Sequence, residues 1–172
     1  MRKTKLTTTR FFILFSLVAI MSPAAVAVAQ ASTPKPSSGE WFFTGITSFT
    51  PDKFAGGNMF YTLVGTIAFT GTLEGTGVTV ETGIEHGGGE GPLVASAVIH
   101  FTGTIDGSAP GSIDIKYNRL KHGGFADASI GSEGNRVFVS NTGTGGLANL
   151  HGTAHFDGQA GAGSYEGQYH FD

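Results

Sequence analysis

The sequence predicts an all-β protein, a closed antiparallel barrel of about eight strands behind a cleavable signal peptide. Three observations lead there. Apolar and polar residues alternate with period two in runs separated by glycine-rich turns from Trp41 onward, no segment in that region carries helical periodicity, and glycines interrupt the apolar stripes. A glycine inside a flat strand weakens it, so its recurrence there points to strands that must bend.

Residues 1–31 are read as an address. Arg2 to Arg10 are basic, Phe11 to Ile20 are apolar apart from Ser16, and Pro23 precedes a small-residue tract from Ala24 to Ala31. That order describes a secretory signal peptide, with cleavage expected after Ala29 or Ala31 and the mature chain secreted or periplasmic. The apolar core is too short to span a bilayer comfortably, so no stable membrane anchor is expected after processing. With no cysteine in the chain, neither a lipidated N-terminal cysteine nor a disulfide is available, and packing must hold the fold.

Of the 10 Lys and Arg, Arg2, Lys3, Lys5 and Arg10 leave with the signal, so the formal charge of −3 becomes about −7 against 13 Asp and Glu. A chain this acidic has little to displace counterions from phosphates, and no nucleic-acid partner is expected. Residues 32–39 form a polar, Pro-containing leader expected to be a short mobile tether, and 40–172 a single barrel domain.

Candidate strands follow at 41–49, 59–73, 78–85, 93–105, 112–118, 136–140, 147–156 and 165–171, with a weaker run at 125–130. Pro51, Pro92 and Pro110 fall in the intervening turns or at strand starts, where a missing N–H costs least. One parity of the second strand reads Tyr61, Leu63, Gly65, Ile67, Phe69, Gly71, Leu73; the fourth gives Ile99, Phe101, Gly103, Ile105; the last gives Tyr165, Gly167, Tyr169, Phe171. Glycine kinks on the concave side let long strands coil around a closed barrel and leave room for bulky neighbours. The glycine-bearing parity is therefore taken as the interior. Phe69 to Thr76 is echoed by Phe101 to Ser108, each copy passing through an acid–Gly pair expected to turn a hairpin, with Phe43 to Ile46 a weak third copy.

These hairpin motifs, with the segment Asn141-Thr142-Gly143-Thr144-Gly145-Gly146-Leu147-Ala148-Asn149-Leu150-His151-Gly152-Thr153 and the closing strand, resemble a bacterial family, domain of unknown function 3224, from about Trp41 to Asp172. That family is itself similar to eight-stranded barrels of the allene oxide cyclase and dirigent type. The resemblance implies an allene oxide cyclase-like, calycin-type barrel whose lumen holds an apolar small molecule. Asn149 stands where such relatives usually have glycine and His151 where arginine is frequent; Asn tolerates a left-handed backbone, so the turn is expected to survive. No catalytic residue of those relatives maps onto this chain.

Tyr61, Phe69, Phe101, Phe156 and Tyr169 are the expected lumen-lining residues. Lys116, Arg119 and Lys121, with His122 beside them, gather half of the mature domain's Lys and Arg; at a barrel mouth they would contact an anionic head group, and otherwise they keep a strand end soluble. His151 and His155, four apart on a strand, lie about 13 Å apart and cannot share a metal, and His100 is expected outside. Glu85 to Gly91 reads as a mobile glycine-rich tip, and Glu74 and Asp106 as turn acids. No metal or cofactor is expected, and no paired carboxylates or nucleophile elbow mark an enzyme. Three functions fit: a small-ligand binder, an isomerase or cyclase using the same lumen, and an envelope or extracellular protein whose barrel is filled by its own aromatics.

Overall fold

The structure, a computed structural model, describes residues 32–125 and 127–172. The expected signal peptide and its cleavage sites lie outside the described residues. Strands run in chain order as β1 (Lys35–Ala55), β2 (Asn58–Gly71), β3 (Leu73–Glu85), β4 (Leu93–Ile105), β5 (Gly111–Lys121), β6 (Ser132–Phe138), β7 (Thr144–Gly145), β8 (Leu150–Gln159) and β9 (Ala162–Phe171). Each long strand pairs antiparallel with the next, β9 returns to β1, and the eight close into a barrel; β7 is a two-residue addition beside the start of β5. Closure leaves no strand wholly at an edge, although β1 beyond Phe42 pairs only with β2 up to Ala55. The β1–β2, β3–β4, β5–β6 and β8–β9 connections share one end of the barrel, called here the open end.

The interior parity is the glycine-bearing one. Tyr61, Leu63, Gly65, Ile67 and Phe69 of β2 are all buried, as are Ile99 and Phe101 of β4 and Tyr165 and Tyr169 of β9. The glycines make room for rings carried by other strands. A Cβ on Gly83 would lie 2.5 Å from the Tyr61 hydroxyl, one on Gly158 would lie 2.5 Å from the Trp41 ring, and one on Gly152 would lie 2.9 Å from Phe138. Away from the open end the lumen is packed with Phe69, Phe101, Ile105, Ile113, Leu147, Leu150 and Tyr169. Each such side chain contributes about 1.5–3 kcal/mol of burial. Trp41 and Tyr165 meet their polar needs from backbone: Trp41 Nε1 donates to the Asp157 carbonyl (3.1 Å), and Tyr165 Oη accepts from the Leu73 N–H (2.8 Å).

Several elements differ from the sequence reading. The leader is not a tether from Lys35 onward: Lys35 to Phe42 pair with β9, because the polar run still offers backbone to an otherwise open edge. β1 carries three bulges and continues past Phe49 to Ala55, and Pro51 sits at the last of the bulges, where no ladder N–H is required. The first acid–Gly pair does not turn. β2 ends at Gly71 (φ +94°), and Glu74 and Gly75 lie inside β3, paired with Thr104 and Gly103. The second pair does turn, with Asp106 at φ +49° and Gly107 at φ +72°. The described residues of 125–130 form no strand; the Asp127 carboxylate instead accepts the Ser129 N–H (2.9 Å), a local bond that competes with a ladder. Asn149 adopts φ +58°, the left-handed geometry that glycine would supply.

Candidate functional site

At the open end the lumen is not filled. A chamber of about 430 Å³ lies among Trp41 and Phe43 of β1, Leu63 and Ile67 of β2, Tyr117, Arg119 and Lys121 of β5, Ser132 and Arg136 of β6, and Phe156 of β8. Its rim is made by Ile46, the β5–β6 connection through Phe125, Ala128 and Ile130, and the β8–β9 turn from Gln159 to Gly161. Walls that are mostly apolar with a few converging polar groups are the usual make-up of a small-molecule site.

The first polar group is a buried carboxylate. Glu81 of β3 is fully buried and accepts from Tyr61 Oη (2.8 Å), Tyr117 Oη (2.6 Å) and Arg119 Nη1 (3.2 Å). Gly83 permits this arrangement, since Tyr61 lies across it to reach Glu81. Burial, and then the Glu81 charge, push the Tyr61 and Tyr117 hydroxyls well above the ordinary phenol value, so both stay neutral donors. Glu81 itself does not line the chamber; Tyr117 and Arg119 carry the network to its wall.

The second is a buried cation. Arg136 is 5% exposed, and its guanidinium lies 4.4 Å from the Phe156 ring centre, 5.0 Å from Phe69, 5.3 Å from Trp41 and 5.8 Å from Tyr117. Such ring faces attract a cation, by about 2 kcal/mol or more where water is excluded. They accept no ordinary hydrogen bond, and Arg136 Nε and Nη1 are buried without a partner among the described residues. Burial lowers the Arg136 pKa to about 10, which leaves it charged at neutral pH.

Lys121 is held differently. Its ammonium donates to the carbonyls of Gly124 (2.6 Å), Phe125 (3.2 Å) and Asp127 (2.5 Å), fixing the rim, while burial and then Arg119 lower its pKa. The buried Glu85 accepts the Phe125 N–H and secures the same connection from β3. The glycine tip beside it is tied down as well, through His86 Nδ1 against Asn58 Oδ1 (3.0 Å) and the Gly88 N–H on the Gly57 carbonyl (2.7 Å).

Of the expected lumen residues, all five are buried, but Phe156 alone faces the chamber; Tyr61 serves Glu81, while Phe69, Phe101 and Tyr169 pack the filled part. Of the basic group, Arg119 and Lys121 line the chamber, whereas Lys116 lies on the outer face beside Val98 and Val137. His100 is outside against Asp114 (2.7 Å), and His151 stacks on His170 with Nε2 2.9 Å from Asp172. Glu81 and Arg136 escape sequence reasoning because a charged side chain ordinarily faces water. The glycine rule would have found both. Gly77 and Gly83 share parity with Glu81, and Gly134 shares it with Arg136.

The fold matches that of a solved protein of unknown function from the DUF3224 family of Shewanella oneidensis MR-1, with a TM-score of 0.61, 18% identity, and coverage of 81% of this chain and 99% of that one. No family model matches the sequence, and no curated protein matches it. The shared fold is the eight-stranded barrel expected from the glycine pattern.

Proposed function

We propose that this is an exported binding protein that holds a small, largely apolar molecule in the open end of its barrel. One observation carries the reading: a chamber of about 430 Å³ bounded by Trp41, Phe43, Leu63, Ile67 and Phe156, in a lumen that is otherwise packed. A barrel serving only as a surface scaffold gains nothing from leaving such a space, since unfilled apolar volume forfeits packing. The basic leading segment and small-residue tract of the sequence support export.

A second reading, isomerisation or cyclisation of a bound intermediate, is favoured by the Glu81 network, which aims neutral Tyr117 and charged Arg119 at the chamber wall. Tyr117 spends its one proton on Glu81, but Arg119 Nε, without a partner among the described residues, is placed to polarise a substrate oxygen while the walls exclude water. Glu81 is a poor general base in this arrangement, because both of its oxygens are already engaged. Binding is therefore the stronger reading.

The test is uptake of N-phenyl-1-naphthylamine, an uncharged apolar fluorophore, by residues 32–172. Saturable enhancement with one site per chain is expected. A barrel that leaves the dye as dim as buffer does would overturn the proposal.

A further inference from the structure

We infer that the ligand of this chamber carries a single oxyanionic group, seated at Arg136. The inference rests on the chamber-binding reading and adds the ligand's charge to it.

The argument is one of unmatched charge. Arg119 is balanced by Glu81 at 3.2 Å, and Lys121 is surrounded by three backbone carbonyls with Glu85 close behind. Arg136 has neither a carboxylate partner nor an acceptor for Nε and Nη1 among the described residues, yet is 5% exposed. A buried charge without a hydrogen-bonding partner is destabilising, and replacing such groups by apolar ones of similar volume is often stabilising. Ring faces recover part of that cost, but they leave the in-plane N–H donors empty. A carboxylate or sulfonate entering from the chamber supplies what is missing: it neutralises the guanidinium and accepts its N–H groups in a site with little water to compete. Arg119 Nε, likewise buried without a partner, stands on the same wall as a second donor. The apolar body of the ligand then lies toward the rim against Phe43 and Leu63.

Packing is the competing role, in which Arg136 merely fills space among four rings. Two dyes of nearly equal size separate the roles: N-phenyl-1-naphthylamine, uncharged, and 8-anilinonaphthalene-1-sulfonate, which adds one anionic group. Arg136→Met keeps the length and removes the charge. The sulfonate dye is expected to lose about tenfold or more in affinity for this variant, while the uncharged dye keeps or improves its own. The unliganded variant is also expected to melt at a higher temperature than the parent. Equal affinity of the sulfonate dye for parent and variant would overturn the inference and leave chamber binding intact. Equal loss of both dyes in a folded variant would assign Arg136 to packing. Failure of the parent to bind either dye would overturn the chamber reading and this inference together. Should Arg136→Met not fold, Arg136→Lys carries the test, since an ammonium cannot reproduce the planar fork. The sulfonate dye is then expected to weaken relative to the uncharged one, and an unchanged ratio contradicts the inference.

Discussion

Gly83 shows how one missing side chain can shape a site. The residue stands opposite Tyr61 in the β2–β3 ladder, and its bare Cα lets the phenol lie flat over β3 and reach Glu81 at 2.8 Å. A methyl group there would sit 2.5 Å from the ring, so Gly83→Ala must push Tyr61 off the carboxylate or bend the strand. Overpacking of this kind costs about 1–3 kcal/mol, and a displaced hydroxyl adds about 1 kcal/mol. Denaturant unfolding is expected to report a loss near the sum of these, with a near-ultraviolet circular dichroism change from the moved ring. A neutral Gly83→Ala would mean that Tyr61 does not occupy this place. The same scale explains what the sequence revealed and what it hid. Alternation placed Phe101 and Tyr165 indoors without difficulty, because aromatic side chains have one obvious destination. Glu81 and Arg136 share the parity of interior glycines, but their charges argue outward, and the acceptors and rings that make burial tolerable come from strands distant in sequence.

Among elements, β1 joins the two ends of the chain into a ring. Its first eight residues pair from Lys35 to Phe42 with β9, and Thr72 Oγ1 accepts the Ser38 N–H (3.1 Å) from the far side. Polar composition concealed this strand, since backbone pairing needs no apolar side chain and only Ser37, Gly39 and Trp41 turn inward. The hairpins were half legible for a related reason. Asp106-Gly107 turns and Glu74-Gly75 does not, although the two octapeptides are near copies, because the β2–β3 reversal occurs earlier, at Gly71. Removing residues 32–39 is expected to bare the β9 edge. Amide exchange at Gly167 and Tyr169 should then accelerate toward that of an open edge, with the β3–β4 ladder little changed. Unaltered protection in β9 would contradict closure through the leader.

For the molecule as a whole, the four tyrosines are a built-in reporter. Tyr61, Tyr117, Tyr165 and Tyr169 are all the tyrosines the chain has, all are buried, and burial raises every one of them, Tyr169 to about 12. Each raised phenol contributes stability that is fully present below the unfolded value of 10.0 and is lost as pH climbs through the folded value. Arg136 acts in the opposite sense, because its folded pKa of about 10 lies below 12.5, so its deprotonation relieves the fold over that interval. Four phenols raised by burial and by neighbouring carboxylates outweigh one relieved cation. Tyrosinate absorbance is therefore expected to stay flat through pH 10 and to rise in one cooperative step that coincides with loss of β circular dichroism. A gradual rise centred on pH 10 in the folded protein would place the rings in water.

The central claim is that the glycine-bearing faces enclose a barrel left empty at one end. Crystals of residues 32–172 pressurised with xenon test it most directly, because xenon occupies apolar space without needing a hydrogen bond. An ordered xenon atom is expected inside the barrel, in contact with Trp41, Ile67 and Phe156. A barrel whose side chains close over that space and admit no xenon would contradict the account.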